Sequence, residues 1–219
     1  LTNPCWSAKD LGEPLPNRPH AVSVALPRWT DIIDYEEKVP ACINSLKAVY
    51  PRFGFNPFVA EVARKSLAFQ GGSKQSCWPY PNLVSALSAQ KHCHQNNSEC
   101  SSTIKDFLGT SCLIVDQRST PSAKAFWQHT GLGLSSREAA IALGKEKEPS
   151  TSDGHCAQNE ILNRLANIYN CDPNLVQLHR SGMAALTTTL LAIEGIKGNS
   201  SILQIGFPYV DVLKLPQIV

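Results

Sequence analysis

The apolar positions change their period partway along the chain. In residues 1–57 six prolines precede Tyr50 and few helical periods occur, which predicts an extended arm packing on something else. Phe58, Val62 and Leu67 fall near one face of a short helix. Residues 71–111 mix Gly, Ser, Asn, Cys and His; Leu83 to Leu87 starts a helix, and Gln95 to Ser102 reads as loop. From Cys112-Leu113-Ile114-Val115 the pattern sharpens into a buried strand, followed by a helix over 122–129 and a break at Gly131-Leu132-Gly133. Ser135 with Glu138 three residues on is a capping box, opening a helix through Leu143 that stops at Gly144. Residues 145–155 are charged and Ser/Thr/Gly-rich, a surface loop. Ile161, Leu162, Leu165, Ile168 and Tyr169 then mark a helix over 158–169, with a turn at Cys171-Asp172-Pro173-Asn174.

The last unit reads as an apolar strand over Leu175 to Leu178, a Ser181-Gly182 turn, and a helix of small and apolar residues through Ile193. A second apolar strand, Ile202 to Ile205, leads to Pro208-Tyr209. Strands alternating with helices predict an α/β fold with a mainly parallel sheet covered on both faces. Three regions follow: the arm (1–57), a helical and loop segment (58–111), and the start of an α/β domain (112–219). No internal repeat is present.

A helix opening on Ser181-Gly182 leaves the N–H groups of Gly182 and Met183 aimed at one point, a geometry that suits a phosphate. By pattern alone Ser181 is equally a plain N-cap. Tyr209, beyond the second strand, is either an ordinary sheet-edge aromatic or a ring laid near that point. Gln128 and His129 precede the glycine break, where a histidine serves as a helix C-terminal cation or as a site residue.

Ser181-Gly182-Met183-Ala184-Ala185 followed by Gly206-Phe207-Pro208-Tyr209-Val210-Asp211 resembles the cystathionine γ-synthase group of pyridoxal-phosphate enzymes of Cys/Met metabolism. Pro19 to Pro27, Asp34-Tyr35-Glu36-Glu37, Tyr50-Pro51-Arg52-Phe53 and Ala123 to Gly131 running on to Ser135-Ser136-Arg137 resemble its cyanobacterial and fungal branch. The similarity covers nearly the whole chain. It implies part of a fold-type I pyridoxal-phosphate transferase large domain, preceded by the N-terminal arm. It implies pyridoxal 5'-phosphate as cofactor, its phosphate held by Ser181, Gly182 and Met183. Tyr209 would stack on the pyridine ring and assist proton transfer. Arg137 matches the Ser-Arg part of a Tyr-Ser-Arg segment that reaches a neighbouring subunit's phosphate. Ser135 stands where that tyrosine would be, and a helix cap is its preferred reading. Arg52 imitates the segment more fully but lies far upstream, and ranks below Arg137.

The implied reaction condenses an O-acyl-homoserine with cysteine by γ-replacement, as in transsulfuration and methionine biosynthesis; γ-elimination and direct sulfhydrylation stay open. Implied partners are small amino-acid substrates and a second copy of the chain, as dimer or tetramer. In such enzymes a later half supplies the Schiff-base lysine, an aspartate for the pyridine nitrogen and an arginine for the substrate carboxylate. Neither Lys197 nor Lys214 sits in a segment resembling that lysine site. The chain is therefore expected to be an N-terminal portion, inactive alone. An unrelated phosphate-binding α/β module ranks last, for want of a glycine-rich nucleotide fingerprint.

Composition narrows the classes further. A formal charge of +2 with no basic stripe argues against nucleic acid. No apolar run has membrane-spanning length, and Leu1 to Trp6 is no secretory signal, so a cytoplasmic enzyme is expected. Eight scattered cysteines then read as reduced thiols. His92-Cys93-His94 with Cys100 offers zinc-ligand types but lacks the paired spacing of a structural site. Asp34, Glu36 and Glu37 read as a solvated acidic face.

Overall fold

The computed structural model describes residues 7–50, 52–68, 74–198 and 201–219. The Leu1 to Trp6 stretch with Cys5, and Pro51 of the Tyr-Pro-Arg motif, lie outside the described residues. In chain order come β1 (Pro14–Leu15), β2 (Ser23–Val24), α1 (Trp29–Glu36), α2 (Pro40–Ser45), α3 (Pro57–Ala68), β3 (Gln75–Tyr80) and α4 (Leu83–Asn96). After them come β4 (Ser102–Phe107), β5 (Thr110–Asp116), α5 (Thr120–Thr130), α6 (Ser136–Ala142), α7 (Thr151–Tyr169), α8 (Gly182–Lys197) and α9 (Val210–Lys214).

Alternation along β5 decides the architecture, because successive side chains of a strand face opposite sides. Leu113 and Val115 pack with Trp78, Tyr80, Cys93, Phe126 and Trp127 in a core shared with α4 and α5. Cys112 and Ile114 face the other way, onto Val59, Val62 and Ala63 of α3 and Ala139 of α6. Each aliphatic side chain so enclosed contributes about 1.5–3 kcal/mol. The sheet therefore has helices on both faces, as the sequence predicts. On α3 the fully enclosed positions are Val59, Val62, Ala63 and Ser66; Phe58 and Leu67 are half-buried beside them.

Direction differs from expectation. The sheet order is β3-β5-β4 and both pairings are antiparallel, as is β1 with β2. No parallel pair occurs among the described residues, so the mainly parallel sheet is corrected. The cause is local. Leu108 (φ +54°) and Gly109 (φ +73°) form a two-residue turn that folds β4 back onto β5. β3 and β4 then run the same way on either side of β5, with α4 crossing between them. Pro79 is tolerated because β3 is an edge strand: its carbonyl faces outward and accepts from Leu134 N–H at 3.0 Å.

The two strands expected around α8 are absent. A short 3₁₀ turn covers Pro173–Leu175, and neither 176–180 nor 201–206 has a ladder partner among the described residues. Leu203 and Ile205 stand 84% and 86% exposed. An apolar run becomes a strand only where another backbone takes up its N–H and C=O groups. α7 begins at Thr151, so the expected surface loop is shorter than 145–155. The first 57 residues are less extended than expected, since α1, α2 and a small hairpin lie within them.

Candidate functional site

The C-terminal end of α5 and the start of α8 meet at Gly131, which adopts φ +68° as the left-handed C-cap of α5. A Cβ there would lie 2.7 Å from Ser181 Oγ and 2.8 Å from the Ala184 nitrogen. Only glycine allows so close an approach. The contact is fixed by Thr187, whose buried hydroxyl donates to the Thr130 carbonyl at 2.9 Å. Ser181 caps α8 by accepting from Ala184 N–H at 3.1 Å. The N–H groups of Gly182 and Met183 stay unused by the described residues, and the space beside Gly182 is open.

In front of this junction lies a cavity of about 450 Å³. Ser181, Met183, Arg137 and Tyr209 all line it, together with Arg52 and Trp127. Gly182, between two of them, is exposed. Four of the five residues singled out from the sequence thus share one wall, and the fifth adjoins it. Gln128 also lines the cavity, whereas His129 turns inward and is buried.

Arg137 follows the capping box. Ser135 Oγ accepts from Glu138 N–H at 3.2 Å, and Glu138 Oε2 accepts from Ser135 N–H at 2.9 Å. The same Glu138 oxygen takes Arg180 Nη1 at 2.9 Å, tying the α6 start to the residue before the Ser181 cap of α8. Ser135→Ala should therefore cost about 1 kcal/mol in chemical unfolding, and leave Arg180 less firmly held. Arg137 is exposed and its guanidinium has no carboxylate or hydrogen-bond partner among the described residues. His20 closes the rim: Nδ1 lies 2.9 Å from Ser136 Oγ and Nε2 2.7 Å from Glu146 Oε1.

Behind Tyr209 the structure adds a group that periodicity could not reveal. The Asp211 carboxylate, 2% exposed, lies 2.7 Å from His129 Nδ1 and 3.0 Å from Arg52 Nε. Arg52 Nη1 is 3.4 Å from the Tyr209 hydroxyl, and its guanidinium carbon sits 5.5 Å from the ring centroid. Desolvation and the Asp211 carboxylate raise the Tyr209 phenol above its ordinary pKa, opposed by Arg52. Arg52 thus lines the cavity together with Arg137. The one signal for Asp211 was its place two residues after Tyr209 in Pro-Tyr-Val-Asp.

The remaining candidates sit elsewhere. His92, Cys93 and Cys100 are buried in the core, while His94 lies 3.0 Å from Ser102 Oγ. Among the described residues no group of three His, Cys, Asp or Glu is arranged to hold a metal. The seven described cysteines are unpaired. No helix of the described residues is long and apolar enough to cross a membrane. Glu36 and Glu37 are exposed.

Residues 58–135 match the family model described as the N-terminal domain of fungal trans-sulfuration enzymes. An L-2-amino-4-chloropent-4-enoate dechlorinase/desaturase from Streptantibioticus cattleyicolor is 27% identical over 215 residues, covering 92% of this chain and 42% of that protein. The cystathionine γ-synthase of Saccharomyces cerevisiae is 29% identical over 162 residues, 62% of this chain and 24% of the relative. That of Neurospora crassa is 28% identical over 167 residues, 64% and 27% respectively. The chain spans less than half the length of these relatives. No solved structure matches it.

Proposed function

We propose, from the match of residues 58–135 to the family model of the N-terminal domain of fungal trans-sulfuration enzymes, that this chain grips the phosphate of pyridoxal 5'-phosphate and covers one face of its ring. The observation that carries the reading is a single cavity wall holding the open start of α8, the unpartnered Arg137 and the ring of Tyr209. A 450 Å³ cavity is within the ordinary range for a small cofactor.

Each residue then has a definite task. The Gly182 and Met183 N–H groups donate to phosphate oxygens, favoured by the positive end of the α8 dipole. Arg137 adds charge-assisted hydrogen bonds. Trp127 and Val59, also in the wall, exclude water from the ring's surroundings. The Tyr209 hydroxyl, its pKa raised, stays protonated near neutral pH and so presents a proton instead of taking one. When bound, the cofactor supplies an electron sink for charge developing beside the substrate nitrogen.

For the whole enzyme the proposed reaction is γ-replacement on an O-acyl-homoserine by cysteine. The named activities of the Saccharomyces and Neurospora relatives support it, while the dechlorinase/desaturase keeps a sister elimination in view. On this reading residues 1–57 serve as the N-terminal arm of a fold-type I large domain. The enzyme is proposed to work in the cytoplasm as a dimer or tetramer on small amino acids, without nucleic acid or membrane.

Fluorescence of Trp127, isolated from that of the chain's other three tryptophans by subtracting the signal of Trp127→Phe, provides the test. Pyridoxal phosphate and inorganic phosphate should each quench or shift it saturably. Arg137→Gln should weaken both about tenfold, the size of one charged hydrogen bond. Unchanged affinity for both would remove Arg137 from the phosphate site. Cystathionine formed from O-succinyl- or O-acetyl-homoserine by the full-length gene product would support γ-replacement; none from either donor would count against it.

A further inference from the structure

We infer that Asp211 is the positioning residue of the cavity, fixing the Tyr209 ring through Arg52 while His129 holds it from behind. The inference rests on the cofactor reading for its meaning at the ring, although the contacts exist without it.

Tyr209 is poorly restrained by packing. It is half exposed, precedes α9, and makes no side-chain cap to it. What stands against it is Arg52, which reaches both its hydroxyl and its ring face. A guanidinium on a long side chain would not hold one orientation unaided. Asp211 supplies the restraint: one carboxylate oxygen forms an ion pair with Arg52, Nε at 3.0 Å, and the other is hydrogen-bonded to His129 Nδ1 at 2.7 Å. His129 comes from the last turn of α5, two residues before Gly131. The carboxylate is thus anchored to α5 and sets the aromatic face, while the seat of α8 is fixed separately by Thr187 on the Thr130 carbonyl.

Stability does not account for this cluster. Bringing a carboxylate and a guanidinium out of water costs several kcal/mol, and apolar replacements of buried ion pairs are often as stable. Its three members lie on the Arg52 segment, α5 and the start of α9, and they converge at a cavity wall. Such an arrangement specifies geometry.

The groups facing the Tyr209 phenol are Asp211, Arg52 and Tyr50, and they give a test independent of any ligand. The alkaline absorbance titration of tyrosine, with Tyr209→Phe subtracted, isolates this one phenol. Asp211→Asn should bring its titration to lower pH, because a facing negative charge is gone. Arg52→Gln should move it to higher pH, because the facing positive charge is gone. Simple loosening would carry both variants the same way, towards an ordinary tyrosine; that result, or no movement, overturns the inference. Should Asp211→Asn not fold, Arg52→Gln decides alone: a fall or no change is the contrary outcome.

The second arm reads ligand affinity from Trp127 fluorescence. Asp211→Asn should weaken pyridoxal phosphate about tenfold, as loss of an aromatic-face contact does, and leave inorganic phosphate within about twofold. Equal loss of both overturns the positioning role. If the unaltered protein binds no pyridoxal phosphate, the cofactor reading fails while the tyrosine titration still decides this one.

Discussion

Gly131→Ala should abolish phosphate binding while leaving the central sheet folded. Its backbone is left-handed, and the added Cβ would meet Ser181 Oγ at 2.7 Å, Ala184 N at 2.8 Å and Met183 Cβ at 3.0 Å. Two of those atoms define the opening turn of α8, so the relief available is to move that turn. The left-handed alanine costs about 1–2 kcal/mol and the crowding about 1–3 kcal/mol, a combined loss readable in urea unfolding. Moving the turn also pulls Ser181 off Ala184 and swings the Gly182 and Met183 amides away from the cavity. Inorganic phosphate should then leave Trp127 fluorescence unchanged, although far-UV circular dichroism retains its helical signal. Undiminished phosphate affinity in Gly131→Ala would mean the α8 start is not the anion site.

Much of this junction was legible in the sequence because caps and breaks are local. Ser135 with Glu138, Ser181 before a run of small residues, and Gly131 after an amphipathic turn each carry their chemistry within four residues. The strand at Cys112 to Asp116 was legible for a different reason: a continuous apolar run has few alternatives. Its partners were not. β3 contains Pro79, which argues against a strand until the edge position is known. β4 alternates weakly, with Lys105 and Asp106 exposed. The turn joining β4 to β5 is Leu108-Gly109, where a leucine occupies a left-handed conformation normally left to Asn, Asp or Gly. With those strands unread, alternation of strand and helix pointed to parallel pairing, and the hairpin reverses it.

The site divided along the same line. Ser181, Met183, Arg137 and Tyr209 were reachable because motif resemblance marks positions. The Asp211 cluster was not, since it joins residues 52, 129 and 211 and no spacing rule links them. A charged residue that is fully buried only after folding leaves no periodic trace. Arg52 illustrates the cost of reasoning from distance along the chain: far upstream, it still contacts Tyr209.

Phe126→Ala should produce the larger loss of stability but not the loss of binding. Phe126 is 1% exposed, with Tyr80 of β3 edge-on at 6.1 Å and His92 of α4 tilted at 5.8 Å. It is thus the side chain through which α5 grips both the sheet and its neighbouring helix. Its removal leaves a cavity no single neighbour can fill, and such truncations cost about 3–5 kcal/mol. Against a typical total of about 5–15 kcal/mol, the urea midpoint should fall steeply with little change in slope. Phe126 does not line the binding cavity; Trp127, Gln128 and Gly131 do. Phosphate affinity per folded molecule should therefore stay near that of the unaltered protein, with any apparent weakening matching the unfolded fraction. Gly131→Ala and Phe126→Ala lie five residues apart on the same helix end, yet one should silence the cavity and the other the fold. If both lost phosphate affinity equally while folded, α5 would be acting as one lever, and the division between core face and cavity face would be wrong.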